Sequence, residues 1–330
     1  MKEVIRDKYF LERNVPENFI EKDRKHFQGD LRVCIKENHV ASFRNAVIIQ
    51  GYVVHKWSLQ KEYCLTRNIR HGKVIKVFTK RILFPVRRIA VGLWVLDQWS
   101  TGYFHWFTEV LPRILSAEQT GNDHPVLLPD HLLKIDYIRE TLAIFNRPVI
   151  QYLLKECLVV KELKAPSHLQ PAQFDATQIK EIAKRFYLFA EKSASSSIDK
   201  VYISRAKAKR RYIYNEAEVK ELLESYGFVT VYMEELSFKE QRRLMAQTKI
   251  LISNHGAGLT NMLFMQKGVK IIELKADADD INNCYFNLAR ALGHQYFYTI
   301  NSSDSKEIQK GNITVDIDQL KQVLQSVQAI

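Results

Sequence analysis

Strand-like and helix-like segments alternate without a break from Asp199 to Ile300, and few architectures accept that order. "DKVYISRA" is apolar and reads as a strand, and "NEAEVKELLESYG" has helical period, with Asn215 as N-cap and Glu218 at the capping-box position. "FVTVYME" is β-branched and extended, and "SFKEQRRLMAQT" is a helix with a second capping box at Ser237 and Glu240. "KILIS", "LTNMLFMQ", "VKIIELK", "NNCYFNLARALG" and "HQYFYTI" continue as strand, helix, strand, helix, strand. The alternation predicts right-handed βαβ crossovers and a parallel sheet covered on both faces, which is why its strands are apolar throughout. "DIDQLKQVLQSVQAI" adds a terminal helix that can pack on either half of the chain.

The first half is less regular. "AVIIQGYVV" and "RIAVGLWVLD" read as strands, and "PVLLPD", the helical "HLLKIDYIRETLAIF", "PVIQYLL" and "ECLVVKEL" form a second α/β set. The prolines of "APSHLQPAQF" break the pattern, so the expected division is an N-terminal domain 1–170 and a C-terminal domain 171–330. A length of 330 residues suits two domains of ordinary size. "EKSASSSIDK" reads as a surface loop, and no internal repeat is visible.

The beginning of the chain is too charged for a signal peptide, and no apolar run reaches the length of a membrane span. Cys34, Cys64, Cys157 and Cys284 are scattered and form no CxxC pair, which argues against a zinc site or a disulfide scaffold. These features favour a reducing, cytoplasmic setting, in which the NxS/T triplets at Asn301 and Asn312 are chance. Lys and Arg outnumber Asp and Glu by 49 to 37, a net +12 that attracts phosphates, acidic lipids or nucleic acid without choosing among them.

Two strand ends are candidates for holding an anion. In "KILISNHGAGLTN" a strand runs into His255-Gly256-Ala257-Gly258 and then a helix reaching Asn261. Beyond the carboxyl end of a parallel strand, glycines let backbone approach a ligand and a helix start offers free N–H groups, which suits a diphosphate. The plainer account is a tight turn needing glycine for positive φ. The segment is neither a Walker loop nor GxGxxG. "SRAKAKRR" follows the strand "VYI" in the same way, placing Ser204 and Arg205 nearest the strand end, with Lys209, Arg210 and Arg211 able to reach the same anion or remain solvated. Glu273 ends "VKIIE", where a carboxylate can accept hydrogen bonds from ribose hydroxyls or be an ordinary strand-end charge. Asp277-Ala-Asp279 and Asp316-Ile-Asp318 both read DxD, a pattern that can hold Mg²⁺ or Mn²⁺, but the first sits in a run of acids and the second at a helix start.

In "TGYFHWFTEVLPR", Tyr103, Phe104, Trp106, Phe107, Val110, Leu111, Ile114 and Leu115 fill one apolar arc at 100° per residue. His105 and Glu109 lie four apart on the narrow polar arc, Arg113 edges it, and Pro112 kinks or restarts the helix. The polar arc reads either as a wet edge or structural pair, or as an imidazole oriented by a carboxylate, which is how a general base is built.

In this order, "YFHW…E.LPR" at Tyr103–Arg113, "SR…RR…NE" at Ser204, Arg205, Arg210, Arg211, Asn215 and Glu216, and "HGAGLTN" at His255–Asn261 followed by the strand through Glu273, the segments resemble the family 61 glycosyltransferases. The resemblance covers roughly residues 90–300; the segment Gln247-Thr248 departs from it, where a small apolar residue is expected. It implies a GT-B-like α/β fold, two Rossmann-like domains with parallel sheets facing a cleft, the nucleotide sugar held by the C-terminal one. It implies an inverting glycosyltransferase that needs no metal or other cofactor and moves a sugar from a nucleotide sugar to a glycan or lipid-linked acceptor. The absence of a leader fits the bacterial members that build capsule and other surface polysaccharide, in the cytoplasm at the inner face of the membrane, with no nucleic acid as partner. The expected catalytic residues are then His105 and Glu109, with either as the base. The expected donor site is Ser204, Arg205, Arg210, Arg211, His255, Gly256, Ala257, Gly258, Asn261 and Glu273. A metal-dependent GT-A enzyme using Asp277 and Asp279, a basic nucleic-acid-binding protein and a catalytically dead carbohydrate-binding relative are the alternatives.

Overall fold

The computed structural model describes every residue except 67–70, 189–197, 209, 280, 308–309 and 330, and describes no side chain for 71–74 or 329. The loop expected at 191–200 falls mostly on residues outside this description, as does Lys209. The chain divides into two compact units, Met1–Tyr9 with Ile35–Pro171, and Phe10–Cys34 with Ala172–Ile330.

The second unit carries the sheet its sequence predicts. Its strands lie in the order Val229–Val231, Lys200–Ile203, Ile250–Asn254, Lys270–Ala276, Gln295–Ser303, all parallel, and Ile313–Thr314 is added antiparallel at the edge. Tyr202, Ile252, Ile272, Leu274 and Phe297 on one face pack with Val219 and Leu223 of the helix Glu216–Ser225 and Leu320, Leu324 and Val327 of the terminal helix Ile317–Ala329. The terminal helix therefore belongs to this unit. The helices Ala176–Leu188 and Cys284–Leu292 also lie in this unit, the second of them against the strand Gln295–Ser303. The segment "LTNMLFMQ" forms a 3-10 helix, Ala257–Phe264, rather than an α-helix.

The Ser237–Glu240 capping box forms with both reciprocal bonds. The one expected at Asn215 does not, because Asn215 makes two hydrogen bonds to the backbone of Val315, each 2.9 Å, and so ties the helix start to the strand Ile313–Thr314 region. Residues 10–34 join this unit rather than the N-terminal one expected from sequence. Phe27 of the helix Arg24–Leu31 packs on Phe286 and Tyr298, and Asp23 accepts from the Tyr298 hydroxyl at 2.7 Å.

The first unit departs further from expectation. Its sheet runs Ser58–Leu59, Tyr52–His55, Asn38–Ile49, Cys157–Pro166, Val86–Leu93, Val126–Pro129, Val149–Tyr152, with Lys2–Arg6 also paired to Asn38–Ile49. Only the half from Cys157–Pro166 onward is parallel; the other half is antiparallel. The cause is connection length. Two residues, Gln50-Gly51 and then Lys56-Trp57, join successive strands, and a parallel crossover needs a dozen or more. All four cysteines are free thiols.

Candidate functional site

The segment Tyr103–Gln119 is continuous but not uniform. Tyr103–His105 is α-helical, Trp106–Val110 is π-helical with Leu111 N–H donating to the Trp106 carbonyl, and an α-helix restarts at Leu111 with Pro112 in its first turn. Pro112 lacks an N–H and cannot serve a carbonyl in the preceding turn, so the chain widens there instead of continuing. Trp106, Phe107, Val110, Leu111, Ile114 and Leu115 are buried as the apolar arc requires, and the Trp106 indole donates to Thr141 Oγ1 at 2.8 Å. Burying side chains of this size stabilises by about 1.5–3 kcal/mol each.

The polar arc is not a wet edge. Glu109 and Arg113 are buried, and only His105 remains partly exposed. His105 Nδ1 lies 2.7 Å from Glu109 Oε1, and its ring stacks on Trp99 with centroids 5.5 Å apart. Glu109 Oε2 lies 3.6 Å from Arg113 Nη2. Arg113 in turn donates to Asp97 Oδ2 at 2.6 Å and to the Val95 carbonyl at 2.8 Å. Asp97 Oδ1 accepts from Trp99 N and Ser100 Oγ, and buried His168 sits 3.9 Å from its other oxygen. Burial would raise the Asp97 pKa, but the Arg113 charge and hydrogen bond outweigh it and, with His168 and the Trp99 N–H, hold it down at about 2. With Nδ1 given to Glu109, His105 Nε2 is left without a protein partner among the described residues.

Asp97, Trp99 and His168 were not singled out from sequence. The signal for the first two is an acid and an indole just past a strand, in "WVLDQWS"; His168 is hidden in the proline-broken stretch taken as a boundary.

In the second unit, the ends of the strands Lys200–Ile203 and Ile250–Asn254 are adjacent. Arg205 lies directly over Gly256, where a Cβ would come 2.1 Å from its Nη1. That close approach, not a turn conformation, is what demands glycine: Gly256 has φ 173°, extended backbone open to any residue. Arg205 Nη2 donates to the Arg210 carbonyl at 3.0 Å, and Asn254 Nδ2 donates to that of Arg211 at 3.0 Å. The buried Nε atoms of both Arg205 and Arg211 have no hydrogen-bond partner among the described residues. Burial and then the nearby Arg211 cation push the Arg205 pKa down to about 10. Two guanidinium groups are thus held together with donors to spare. Arg210 is exposed, and Lys207 turns away to pair with Glu235.

Four expected donor ligands serve the scaffold. Ser204 is 1% exposed, and its hydroxyl donates to Glu216 Oε1 at 2.6 Å, which also accepts from Tyr202. Glu273 is fully buried with one oxygen on His255 Nδ1 and the other accepting from Tyr296 at 2.6 Å, so it does not stand open for a ribose. Burial would raise its pKa, but Lys275, His255 and these hydrogen bonds hold it below the ordinary value. His255 is buried as well; with Nδ1–H given to Glu273, its Nε2 accepts from Asn282 at 2.8 Å. Asn282 O in turn accepts from the fully buried Lys275 Nζ at 3.0 Å. Asn261 is buried and donates to Gln241 at 3.2 Å, whereas Ala257 is exposed. Asp277 Oδ1 accepts from Ser303 N, Asp279 is buried, and among the described residues no three His, Cys, Asp or Glu side chains gather as metal ligands do.

The model of the glycosyltransferase 61 family matches residues 103–272, just over half the chain. A 98-residue segment is 41% identical to the EGF domain-specific O-linked N-acetylglucosamine transferase of Drosophila melanogaster, covering 29% of this chain and 18% of that protein. The dog enzyme of the same description is 35% identical over 91 residues (26% and 17%), and the mouse one 42% over 62 residues (19% and 11%). Each match spans less than a fifth of the relative's length. The matched region opens at Tyr103, on the His105–Glu109–Arg113 helix, and takes in the Arg205 and Gly256 strand ends, and the chain belongs to the glycosyltransferase 61 family.

Proposed function

We propose that the chain is an inverting, nucleotide-sugar-dependent glycosyltransferase, a GT-B-type enzyme whose two domains are the two units. The observation that carries this reading is Arg205 over Gly256 with the Arg211 cation near it, two guanidinium groups with unsatisfied buried Nε donors beside adjacent parallel strand ends. Such a pair fits the diphosphate of a nucleoside diphosphate, since guanidinium forks bind phosphate oxygens strongly. In the reaction, an acceptor hydroxyl attacks the sugar C1, the bond from C1 to the phosphate oxygen breaks, and the nucleoside diphosphate leaves with that electron pair. Attack opposite the leaving group inverts C1. His105 Nε2 takes the hydroxyl proton, while the Glu109 carboxylate fixes the tautomer and stabilises the imidazolium. The buried position of Glu109 favours it as the orienting group rather than the base.

The leaving charge falls on Arg205 and Arg211, so no divalent metal is required, and Asp277 is committed to Ser303. The half-buried position of Arg205 and the pairing of Lys207 with Glu235 speak against a nucleic-acid track. The named activity of the relatives makes UDP-N-acetylglucosamine the first donor to test, and a protein hydroxyl a second reading for the acceptor beside a glycan or lipid-linked saccharide. The net +12 supports work near anionic lipid at the inner face of the membrane in surface polysaccharide assembly. Among the described residues no helix is long and apolar enough to cross a membrane.

Calorimetric titration with UDP tests the reading. Arg205→Ala is expected to weaken UDP by roughly 10- to 100-fold, the worth of a charged hydrogen bond. Gly256→Ala should do nearly the same by displacing the guanidinium. Affinity should be equal in EDTA and in Mn²⁺. It should hold between about pH 7 and 9, where Arg205 keeps its charge although burial and the neighbouring cation lower its pKa. Wild-type UDP affinity in Arg205→Ala would sink the proposal.

A further inference from the structure

A second cationic feature lies in the first unit, apart from the His105 helix segment. A cavity of about 720 Å³ opens beside the strand Asn38–Ile49 and the turn that joins Tyr52–His55 to Ser58–Leu59. Its volume is that of a small-ligand pocket. Arg44, Lys56, Arg81 and Lys164 line it against one carboxylate, Glu162. Lys164 is satisfied by Ser42 Oγ at 3.0 Å and by Glu162 at 3.5 Å. Arg44 and Lys56 have no partner among the described residues. Trp57 lines the same cavity; Arg81 lies 4.2 Å from its ring centroid, yet the residue is 74% exposed.

The turn itself is strained. Lys56 and Trp57 have φ 47° and 62°, both left-handed. A two-residue hairpin link of this kind suits Asn-Gly, and neither Lys nor Trp adopts it without cost. The sequence keeps a cation and an indole where the backbone disfavours both, which points to the side chains as the reason. An indole offers a flat apolar face to the C–H face of a sugar ring, and arginine forks match carboxylate, sulfate or phosphate oxygens. One exposed ring beside an open cavity differs from the series of stacking rings along a single-stranded nucleic acid site.

We propose that this cavity binds an anionic saccharide, Trp57 lying against a sugar face and Arg44, Lys56 and Arg81 meeting its charged groups. The proposal does not depend on sugar transfer, because binding is measured without donor. Oligosaccharides carrying uronate, sulfate or phosphate are screened beside their neutral parents, and the best binder is titrated calorimetrically. It is expected to bind at least about tenfold more tightly than its neutral parent, less tightly as salt rises, and at least about tenfold more weakly to Trp57→Ala and to Arg44→Ala. Joint replacement Lys56→Asn and Trp57→Gly should raise the melting temperature while abolishing binding, which separates loss of the site from loss of the fold. The proposal is overturned if no charged saccharide binds, if the neutral parent binds equally, if Trp57→Ala binds like wild type, or if an oligonucleotide of equal charge binds more tightly. UDP affinity measured on the same variants should stay at the wild-type value, so failure here and failure of the diphosphate site are told apart.

Discussion

His105→Ala is expected to cut turnover by roughly 100- to 10,000-fold, the usual contribution of a positioned general base, while UDP affinity stays at the wild-type value. The split follows from geometry. Nδ1 is committed to Glu109 at 2.7 Å, Trp99 stacks on the ring, and Nε2 alone is left to accept a proton. The diphosphate contacts are attributed to Arg205 and Arg211, residues of the other unit, so donor binding has no reason to change. Glu109→Gln retains an oxygen that can accept the Nδ1–H but removes the charge that stabilises the imidazolium. Its loss of turnover should be smaller than that of His105→Ala. The fold should survive both changes, since His105 is partly exposed and bonds to one side chain. Single-turnover rates measured with saturating donor check this, and full turnover in His105→Ala would remove the histidine from the base role.

How much of this was legible in the sequence depends on the range of the interactions involved. The parallel sheet of the second unit follows from local periodicity, because each strand from Lys200–Ile203 to Lys270–Ala276 is followed by a helical segment before the next parallel strand. The antiparallel half of the first sheet has a local signal too, the Gln50-Gly51 link inside "AVIIQGYVV", which is too short for anything but a hairpin. Residues 10–34 could not be assigned by position, because the contacts of Phe27 and Asp23 are with residues more than 250 positions away. The candidate site divides in the same manner. His105 and Glu109 are four apart on one helix, and their pairing is a local fact. The roles of Ser204 and Glu273 are not local: Ser204 stands just past a strand end, Glu273 lies in the middle of the strand Lys270–Ala276 rather than at its end, and Glu216 and His255 claim their polar atoms. Gly256 was expected to let backbone approach a ligand or to supply a positive φ; what lies against it is the Arg205 guanidinium, a contact made from another strand end. The π-helical turn before Pro112 shifts residues off a regular wheel, and a polar stripe that looked wet became a buried network through Asp97, a residue outside the helix.

That network carries the second large effect. Asp97→Asn is expected to destabilise the protein by about 3 kcal/mol, because it removes the hydrogen-bonded carboxylate from the guanidinium of Arg113, 4% exposed, and leaves it only Glu109 at 3.6 Å. At about 2–4 °C per kcal/mol for a unit of this size, the melting transition should fall by roughly 6–12 °C. Acid should act through the same carboxyl. Its pKa is held at about 2 in the folded chain against an ordinary 3.8. The stabilisation is therefore fully present above pH 3.8 and is lost as pH falls through about 2, an interval corresponding to about 2–3 kcal/mol. In Asp97→Asn this part of the acid sensitivity should disappear. Adding Arg113→Met to Asp97→Asn removes the second buried charge, and most of the lost stability should return, since replacing a buried pair by apolar groups costs far less than breaking it. Turnover should not return with it. Arg113 Nη2 lies 3.6 Å from Glu109 Oε2 and faces the carboxylate that orients His105, so the double variant lacks a cation beside Glu109 even when it is stably folded. A double variant that regains both stability and turnover would show that the pair holds the fold alone and does not act on the histidine. A single Asp97→Asn variant that melts like the wild type would show that the pair does not hold the fold.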